Sequence, residues 1–225
     1  MTNKEFSDNF DTLLNSFSRT PGILMDEYEK SSFLTQAQEQ LVKEYYTGNN
    51  PYGKSFEETE EIRSYLSELV ETVIPDKLDN SIGLSENSTF YKRPDNLWFI
   101  TYESVSLKDD SLVCLGESKA DVIPVTQDDF FRVSNNPFKG PSTKRVLRLT
   151  TSKDAIELVS KYNINRYTLR YLRQPRPIIL LKLSDLTING ISDESTCELN
   201  PVIHRDILER AVQLAITSQT QFSGK

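Results

Sequence analysis

Apolar residues in the first part of the chain recur at the three- and four-residue spacing of an amphipathic helix. Thr2 and Glu5 have the spacing of a capping box, in which each side chain accepts a hydrogen bond from the other residue's backbone amide. Pro21 and Gly22 mark the end of the pattern. The sequence therefore predicts a first helix whose buried face carries Phe6, Phe10, Leu13, Leu14 and Phe17.

Two more helices are predicted before residue 75. The second begins near Thr35, where Gln38 completes another capping box, and the Gly-Asn-Asn-Pro run at 48–51 ends it. The third begins after Ser55, with Glu58 at the box position, and the pattern leaves open whether residues 67–74 remain helical. The apolar stripes are Ala37, Leu41, Val42 and Tyr45 in the second helix, and Ile62, Leu66, Leu69 and Val70 in the third.

Near Thr89 the pattern changes to runs that are rich in β-branched and aromatic residues. The first of them, at 97–105, is followed by a turn-like Lys-Asp-Asp-Ser at 108–111. One short helix is predicted over residues 153–162, capped by Ser152. A mixed or antiparallel sheet is the economical interpretation of the further runs at 111–115, 120–126, 145–150, 166–172 and 177–183.

The chain ends in another predicted helix, which Asn200 caps and in which Pro201 occupies the first turn. Its apolar positions are Ile207, Leu208, Ala211, Val212, Leu214 and Ala215, and the polar residues 217–225 are expected to fray or to dock on a partner. The predicted fold class is α+β: N-terminal helices, a central mixed or antiparallel β-sheet domain with a short helix, and a C-terminal helix.

The domain organisation follows from these elements. We expect an N-terminal helical region over residues 1–80, a central α+β region over 89–199, and a C-terminal helix and tail over 200–225. A chain of 225 residues is long enough to bury one substantial core, so the three regions are expected to form one structural domain.

Composition favours a folded protein outside membranes. Hydrophobic residues make up 37% of the chain and charged residues 26%, and the longest apolar run is only the five residues at 177–181. The N-terminal sequence is not that of a signal peptide. Cys114 and Cys197 lie 83 residues apart with no second pair, so free thiols in a reducing compartment are expected.

The net charge of −7 is unevenly distributed. Residues 1–88 hold 7 Lys and Arg against 17 Asp and Glu, whereas residues 132–182 hold 12 against 2. The basic stretch also contains Tyr162, Tyr167 and Tyr171, which is typical of a sequence-independent nucleic-acid-binding surface. The alternative is that these cations solvate the outer face of a sheet or pair with the acidic first 88 residues of the same or a neighbouring subunit.

Six arginines of this stretch are the candidate site residues. They are expected to line a channel or to form subunit contacts, and they are Arg145, Arg148, Arg166, Arg170, Arg173 and Arg176. On a strand, Arg166 and Arg170 share one face and Tyr167, Leu169 and Tyr171 share the other, so both arginines are expected to point outward.

The sequence contains little that indicates catalysis. His204 is the single histidine, and its place near the start of the last helix favours a capping or surface role. The carboxylate pairs Asp109-Asp110 and Asp128-Asp129 are interpreted as solvated turns, although an enzyme with a carboxylate site is the weaker rival hypothesis. Nucleotide-binding and zinc-protease motifs are absent from the sequence, so we expect no enzyme activity, no cofactor and no metal.

Several strings along the chain resemble virion proteins of crAss-like bacteriophages. They are KEFSD at 4–8, DEYEKS at 26–31, LTQAQE at 34–39, NPFKGPS at 136–142, YLRQPRPIIL at 171–180, CELNP at 197–201 and IHRDIL at 203–208. They span nearly the whole chain, and they are similar to head-to-tail connector or ring proteins of short-tailed phages.

The resemblance implies a structural subunit of the virion's portal or tail region, made in the cytoplasm of the bacterial host. It implies a ring, expected to be a dodecamer, that surrounds the genome ejection channel and contacts the portal protein and other connector or tail ring proteins. It also implies possible non-specific contact with DNA in the channel, no membrane and no cofactor. In such a ring, acidic and basic surfaces of neighbouring copies are expected to meet and close the cycle.

Overall fold

A computed structural model describes residues 1–17, 25–51, 53–79, 83–108, 118–150 and 153–222. The chain forms two compact units, of which the first combines Met1–Leu69 with Gln174–Lys225 and the second is Val70–Arg173. The three-region division and the single structural domain expected from the sequence stay predictions.

The chain begins with helices of the first unit, passes through all the described strands in the second unit, and returns to the first unit for its last helix. Five α-helices are α1 (Asn3–Phe17), α2 (Glu27–Thr47), α3 (Glu60–Leu66), α4 (Phe130–Ser134) and α5 (His204–Phe222). Eight strands are β1 (Val70–Val73), β2 (Lys77–Leu78), β3 (Ser88–Lys92), β4 (Leu97–Leu107), β5 (Ser118–Pro124), β6 (Arg145–Thr150), β7 (Ala155–Val159) and β8 (Ile164–Arg173).

Helix α1 begins as its capping box predicts. The Glu5 amide donates to Thr2 Oγ1 at 3.3 Å, and the Thr2 amide donates to Glu5 Oε2 at 2.8 Å. Its stripe is buried at Phe6, Phe10 and Leu14, whereas Phe17 at the end of the helix is 65% exposed. The predicted stop at Pro21-Gly22 lies outside the described residues.

Helix α2 begins eight residues before the predicted start. Its N-cap is Asp26, which forms a reciprocal capping box with Glu29. The capping box predicted at Thr35 and Gln38 is therefore wrong, because both residues lie in the middle of the helix with buried side chains. The predicted end is confirmed, since Gly48 follows the last turn in the left-handed conformation, with φ of 80°.

The third helix also differs from its prediction in its start. The Ser55 amide does donate to Glu58 Oε2 at 2.7 Å, but this contact closes a turn, and α3 begins only at Glu60. After Leu66 the chain forms a short 3₁₀ turn over Ser67–Leu69 and enters β1 at Val70. The apolar residues of α3, Ile62 and Leu66, are buried as expected.

The run at 177–183 is not a strand, so that prediction is wrong. Its backbone is instead bound by polar side chains of α2: Thr35 Oγ1 accepts from the Ile178 amide at 3.1 Å, and Ser31 Oγ accepts from the Leu180 amide at 3.0 Å. Gln38 Nε2 donates to the Arg176 carbonyl at 2.8 Å. Ile179 also forms an isolated antiparallel bridge with Ser195. The segment thus satisfies its backbone groups partly against the helix and partly through this bridge, without a regular strand ladder.

The second unit is one mixed sheet of eight strands in the order β1-β8-β4-β5-β6-β7-β3-β2. Strands β5 and β6 pair in parallel, and the other neighbours are antiparallel. With the helices, this sheet confirms the predicted α+β class. The runs expected at 145–150 and 166–172 are the strands β6 and β8, while the run expected at 111–115 and the turn aspartates Asp109 and Asp110 lie outside the described residues.

The helix predicted over 153–162 is wrong, because this segment contains β7. Ala155, Ile156 and Val159 have a spacing that is compatible with a helix, but the segment pairs with β6 on one side and β3 on the other. Those two ladders satisfy its backbone and place Ile156 and Leu158 in the core of the sheet. The short helix of this unit is α4, over Phe130–Ser134.

The two faces of the sheet are covered differently. One face carries the main core cluster, which includes Val105, Val146, Leu158, Tyr167 and Leu169. On the opposite face, α4 places Phe130 over Leu147, Leu149 and Val159, so β6 is buried on both sides.

The C-terminal helix is confirmed. Asn200 Oδ1 accepts from the Val202 amide at 3.1 Å, a 3₁₀ turn follows over Pro201–Ile203, and α5 begins at His204. The helix continues to Phe222, so most of the polar tail expected from residue 217 is helical.

Candidate interaction surface

The six candidate arginines do not form one cluster. Arg145 and Arg148 lie on β6, while Arg166, Arg170 and Arg173 lie on β8, all in the second unit. Arg176 belongs to the first unit, in the segment that α2 binds.

Arg148 points into the interior of the sheet. Its Nε lies 3.1 Å from Glu103 Oε2, with side-chain exposures of 16% for Arg148 and 6% for Glu103. The Tyr167 hydroxyl donates to the other carboxylate oxygen of Glu103 at 2.5 Å. Burial raises the pKa of Glu103, and the Arg148 charge and the Tyr167 hydrogen bond oppose that rise. Arg148 is thus the partner of a buried carboxylate.

Arg166 and Arg170 point outward, as the strand alternation predicts, while Tyr167, Leu169 and Tyr171 between and beside them are buried. Arg166 lies opposite Ser106 of β4, which lies opposite Lys119 of β5. Arg170 lies opposite Tyr102 on β4 and Thr72 on β1, and its Nε donates to Thr72 Oγ1 at 3.1 Å. We call this surface the basic face: Tyr102, Ser104, Ser106, Lys119, Arg166, Thr168 and Arg170.

Arg145 and Arg173 lie near the borders of the sheet surface. Arg145 is half-buried opposite Asp121 in the parallel β5–β6 pair, and it lines a shallow cavity of about 320 Å³ together with Ile123 and Lys139. Arg173 Nε lies 3.2 Å from Glu71 Oε1. The Tyr171 hydroxyl lies 2.8 Å from Glu71 Oε2, and burial, reinforced by Glu71, raises the pKa of Tyr171 to about 12.

Among the candidate arginines that form ion pairs, Arg176 is the most exposed. Its side chain is 70% exposed, and its Nε lies 3.4 Å from Glu198 Oε1. An ion pair this open to water contributes little to stability.

The tyrosines of the basic stretch do not form the aromatic surface that the nucleic-acid interpretation needs. Tyr167 and Tyr171 are 0% and 1% exposed and belong to the sheet core, and Tyr162 packs against the same core. Bases cannot stack on buried rings, so this part of the interpretation is wrong. The exposed aromatic residue next to the arginines is Tyr102, at 53%.

The first unit carries an acidic surface whose position could not be predicted from the sequence. Glu57, Glu58, Glu60 and Glu61 are all exposed around the start of α3, and we call them the acidic segment. Phe56 and Ile62, which flank them, are buried and fix the backbone. The charge count over residues 1–88 shows an excess of acidic residues but not where they lie on the surface.

The described residues do not bring catalytic groups together. His204 is 4% exposed, which corrects the expected surface position. Its Nε2 lies 2.8 Å from the Leu199 carbonyl and its Nδ1 lies 2.7 Å from the Met1 nitrogen, and burial lowers its pKa. Asp129 forms an exposed ion pair with Arg132 at 2.8 Å, as expected for a solvated turn.

Within the described parts of the chain, no group of three or more His, Cys, Asp and Glu side chains is arranged to hold a metal ion. None of the described helices combines the length and the apolar character that crossing a bilayer requires. Cys197 carries a free thiol whose pKa burial raises to about 11; Cys114 lies outside the described part of the chain.

Comparison with known proteins gives a consistent result over the full length. The family model described as phage tail ring protein 3/4 matches residues 1–225. The chain is 60% identical over 227 residues to Ring protein 3 of Bacteroides phage crAss001, covering 100% of this chain and 99% of that protein. It is 35% identical over 228 residues to Ring protein 4/5 of the same phage, covering 96% and 92%. The resemblance to crAss-like phage ring proteins is confirmed, and the chain belongs to the phage tail ring protein 3/4 family.

Proposed function

We propose that this chain is a non-enzymatic structural subunit of a phage virion. Its copies form a ring, a dodecamer, in the portal-proximal head-to-tail connector that joins the capsid portal to the tail and surrounds the genome ejection channel. The observation that carries the proposal is the end-to-end similarity to a protein named Ring protein 3, at 60% identity.

The surface of the second unit supports a role in assembly. Phe131 and Phe138, on and just after α4, are 63% and 81% exposed. Apolar surface that is open to water in a monomer is often buried by a partner in an assembly. A stacked assembly offers such partners, which we take to be the portal protein and other connector or tail ring proteins.

Four of the six candidate arginines remain available to the ring. Arg145, Arg166, Arg170 and Arg176 either line the channel, where they contact DNA phosphates without reading bases, or form subunit contacts. Arg148 and Arg173 are left out because each side chain is mostly buried and its charge is already paired with a carboxylate, that of Glu103 or Glu71.

The alternative, a sequence-independent nucleic-acid-binding protein that uses residues 132–182, has less support. Both relatives are named as ring proteins, and the tyrosines that favoured the alternative are buried. It makes a distinct prediction, because an isolated monomer would bind DNA with an affinity that falls steeply as salt is added.

The first experiment measures mass and symmetry. The purified protein, alone and mixed with the portal protein of the same phage, is passed over a sizing column with light scattering and imaged by electron microscopy. We expect closed rings with twelve-fold class averages that bind the portal. A monomer that ignores the portal and binds DNA would instead establish the alternative.

A second experiment locates the protein in the particle. An antibody raised against the chain and coupled to gold is applied to purified virions and to virions whose tails have been detached. We expect the label at the junction of head and tail. Label over the whole capsid, or none on intact or dissociated particles, would contradict the proposed place.

A further inference from the structure

The basic face has the composition of a protein contact surface. Arg166 and Arg170 lie four residues apart on β8, a separation of about 13 Å along a strand. Between them and toward β5 lie only small hydroxyl side chains, those of Ser104, Ser106 and Thr168, which let another surface approach the sheet closely. Arg and Tyr, here including the exposed Tyr102, are enriched where proteins meet.

The cations of this face lack charged partners in the part of the chain that the structure describes. Arg166 and Lys119 form no ion pair there, and the recorded contact of Arg170 is the neutral hydroxyl of Thr72. One acid, Asp121, lies on the same face opposite Ser104. Three cations against one carboxylate leave the face positive, and cations that are open to water attract a partner of opposite charge.

The acidic segment of the first unit is a surface of the opposite sign. Glu57 and Glu60 have exposed side chains that form no ion pair within the described residues. Arg63, three residues after Glu60, donates to the main-chain carbonyl of Glu57 instead of a carboxylate. Phe56 and Ile62 are buried beneath the segment, at 5% and 2% exposure. The carboxylates are therefore displayed from a fixed backbone.

We infer that the basic face of one copy binds the acidic segment of the next copy around the ring. Two different surfaces that meet in this way form a head-to-tail contact. Such contacts generate a closed ring when a whole number of copies completes one full turn. The inference rests on the proposed function, which supplies the ring, and adds the surfaces that join its copies. Nucleic acid is the less suitable occupant, because the Asp121 carboxylate lies next to the basic face, opposite Ser104, and the one exposed ring of the basic face is that of Tyr102.

Charge reversal tests the contact. One variant carries Arg166→Glu and Arg170→Glu, and the other carries Glu57→Lys and Glu60→Lys. Each variant alone places like charges at the exchanged positions of every contact, so the concentration for half-assembly should rise by more than about tenfold. A 1:1 mixture restores opposite charges at every contact if the two variants alternate, so rings should return, and a single chain with all four substitutions should also assemble.

The controls separate this contact from other causes. Lys182→Glu with Arg205→Glu reverses two exposed cations of the first unit and should leave the rings intact. Circular dichroism checks that each variant is folded. If the variant with Arg166→Glu and Arg170→Glu does not fold, a variant with Arg166→Gln and Arg170→Gln takes its place. A pairing within one chain, or with DNA, cannot be rescued by mixing.

The outcomes also distinguish this inference from the proposed function. Absence of rings from the unaltered protein, with and without the portal, contradicts the proposed function itself. Rings from the unaltered protein and from both reversed variants overturn only the inference. Loss of assembly in both variants without recovery in the mixture overturns it as well, whereas recovery in the 1:1 mixture establishes it.

Discussion

At the scale of single residues, the pair of Arg148 and Glu103 carries the largest expected effect. Arg148→Met keeps the aliphatic volume but leaves Glu103 buried and without its cation. Removing one partner of a buried ion pair costs about 3–5 kcal/mol, so the free energy of unfolding measured in urea should fall by about that amount. The matched control is Arg166→Met on the outer face, which should change stability by less than about 0.5 kcal/mol. Equal effects of the two substitutions would mean that water reaches Glu103.

A second prediction concerns His204 and pH. Burial lowers the pKa of His204 below its ordinary value of 6.5, and the Met1 amino group acts in the same direction. The unfolded chain therefore takes up this proton at higher pH than the folded protein, so the contribution of neutral His204 to stability is present above pH 6.5 and is lost as pH falls.

Comparison with His204→Gln isolates this effect, because glutamine can still donate to the Leu199 carbonyl and does not titrate. The stability advantage of the unaltered protein over the variant should shrink between about pH 7 and pH 5, measured by urea unfolding. An advantage that stays constant across this range would show that folding does not shift the pKa of His204.

The same scale shows how far sequence reasoning reaches for the site. The outward direction of Arg166 and Arg170 was predictable, because strand alternation with Tyr167 and Tyr171 leaves them one face. The inward direction of Arg148 was not, because β6 is buried on both sides and an arginine in such a strand is placed by a distant partner, Glu103, 45 positions earlier in the chain.

At the scale of elements, helix α2 stabilises the extended segment after β8 through its side chains. Thr35→Val keeps the shape of the side chain but removes the oxygen that accepts from the Ile178 amide. A buried donor without a partner costs about 1–3 kcal/mol, and the loss should appear as lower stability and faster hydrogen exchange at Ile178. Ser32→Ala, at an exposed position of the same helix, is the control and should change neither quantity. An unaltered exchange rate in Thr35→Val would show that another group binds the Ile178 amide.

Element boundaries were the least predictable part of the fold. Asp26 with Glu29 and Thr35 with Gln38 are both plausible capping pairs by local chemistry. Only the position of the 176–180 backbone decides that the second pair faces inward and binds it. The helix predicted at 153–162 was wrong for a related reason. The apolar spacing there is compatible with a helix, but the segment pairs with two strands that are distant from each other in sequence.

At the scale of the whole molecule, the sequence predicted the fold class and the family but not the discontinuous first unit. Periodicity reports local structure, whereas joining Met1–Leu69 to Gln174–Lys225 depends on contacts between distant residues such as Glu44 and Arg210, 2.9 Å apart. The charge asymmetry was visible in the sequence. The structure shows where part of each charge lies: Arg166 and Arg170 on the basic face, and four of the acidic residues in the acidic segment.

If these two surfaces join neighbouring copies, assembly depends on ionic strength. Charges at an open contact are screened over about 10 Å in 0.1 M salt and about 3 Å in 1 M salt, so the concentration for half-assembly should rise as NaCl is added. The chain with all four charge reversals should also assemble less readily as salt is added, because opposite charges still meet at the four exchanged positions. Light scattering across a salt series measures both proteins directly. Rings that persist or strengthen at 1 M salt would assign the contact energy to apolar residues, because burial of apolar surface is not weakened by screening.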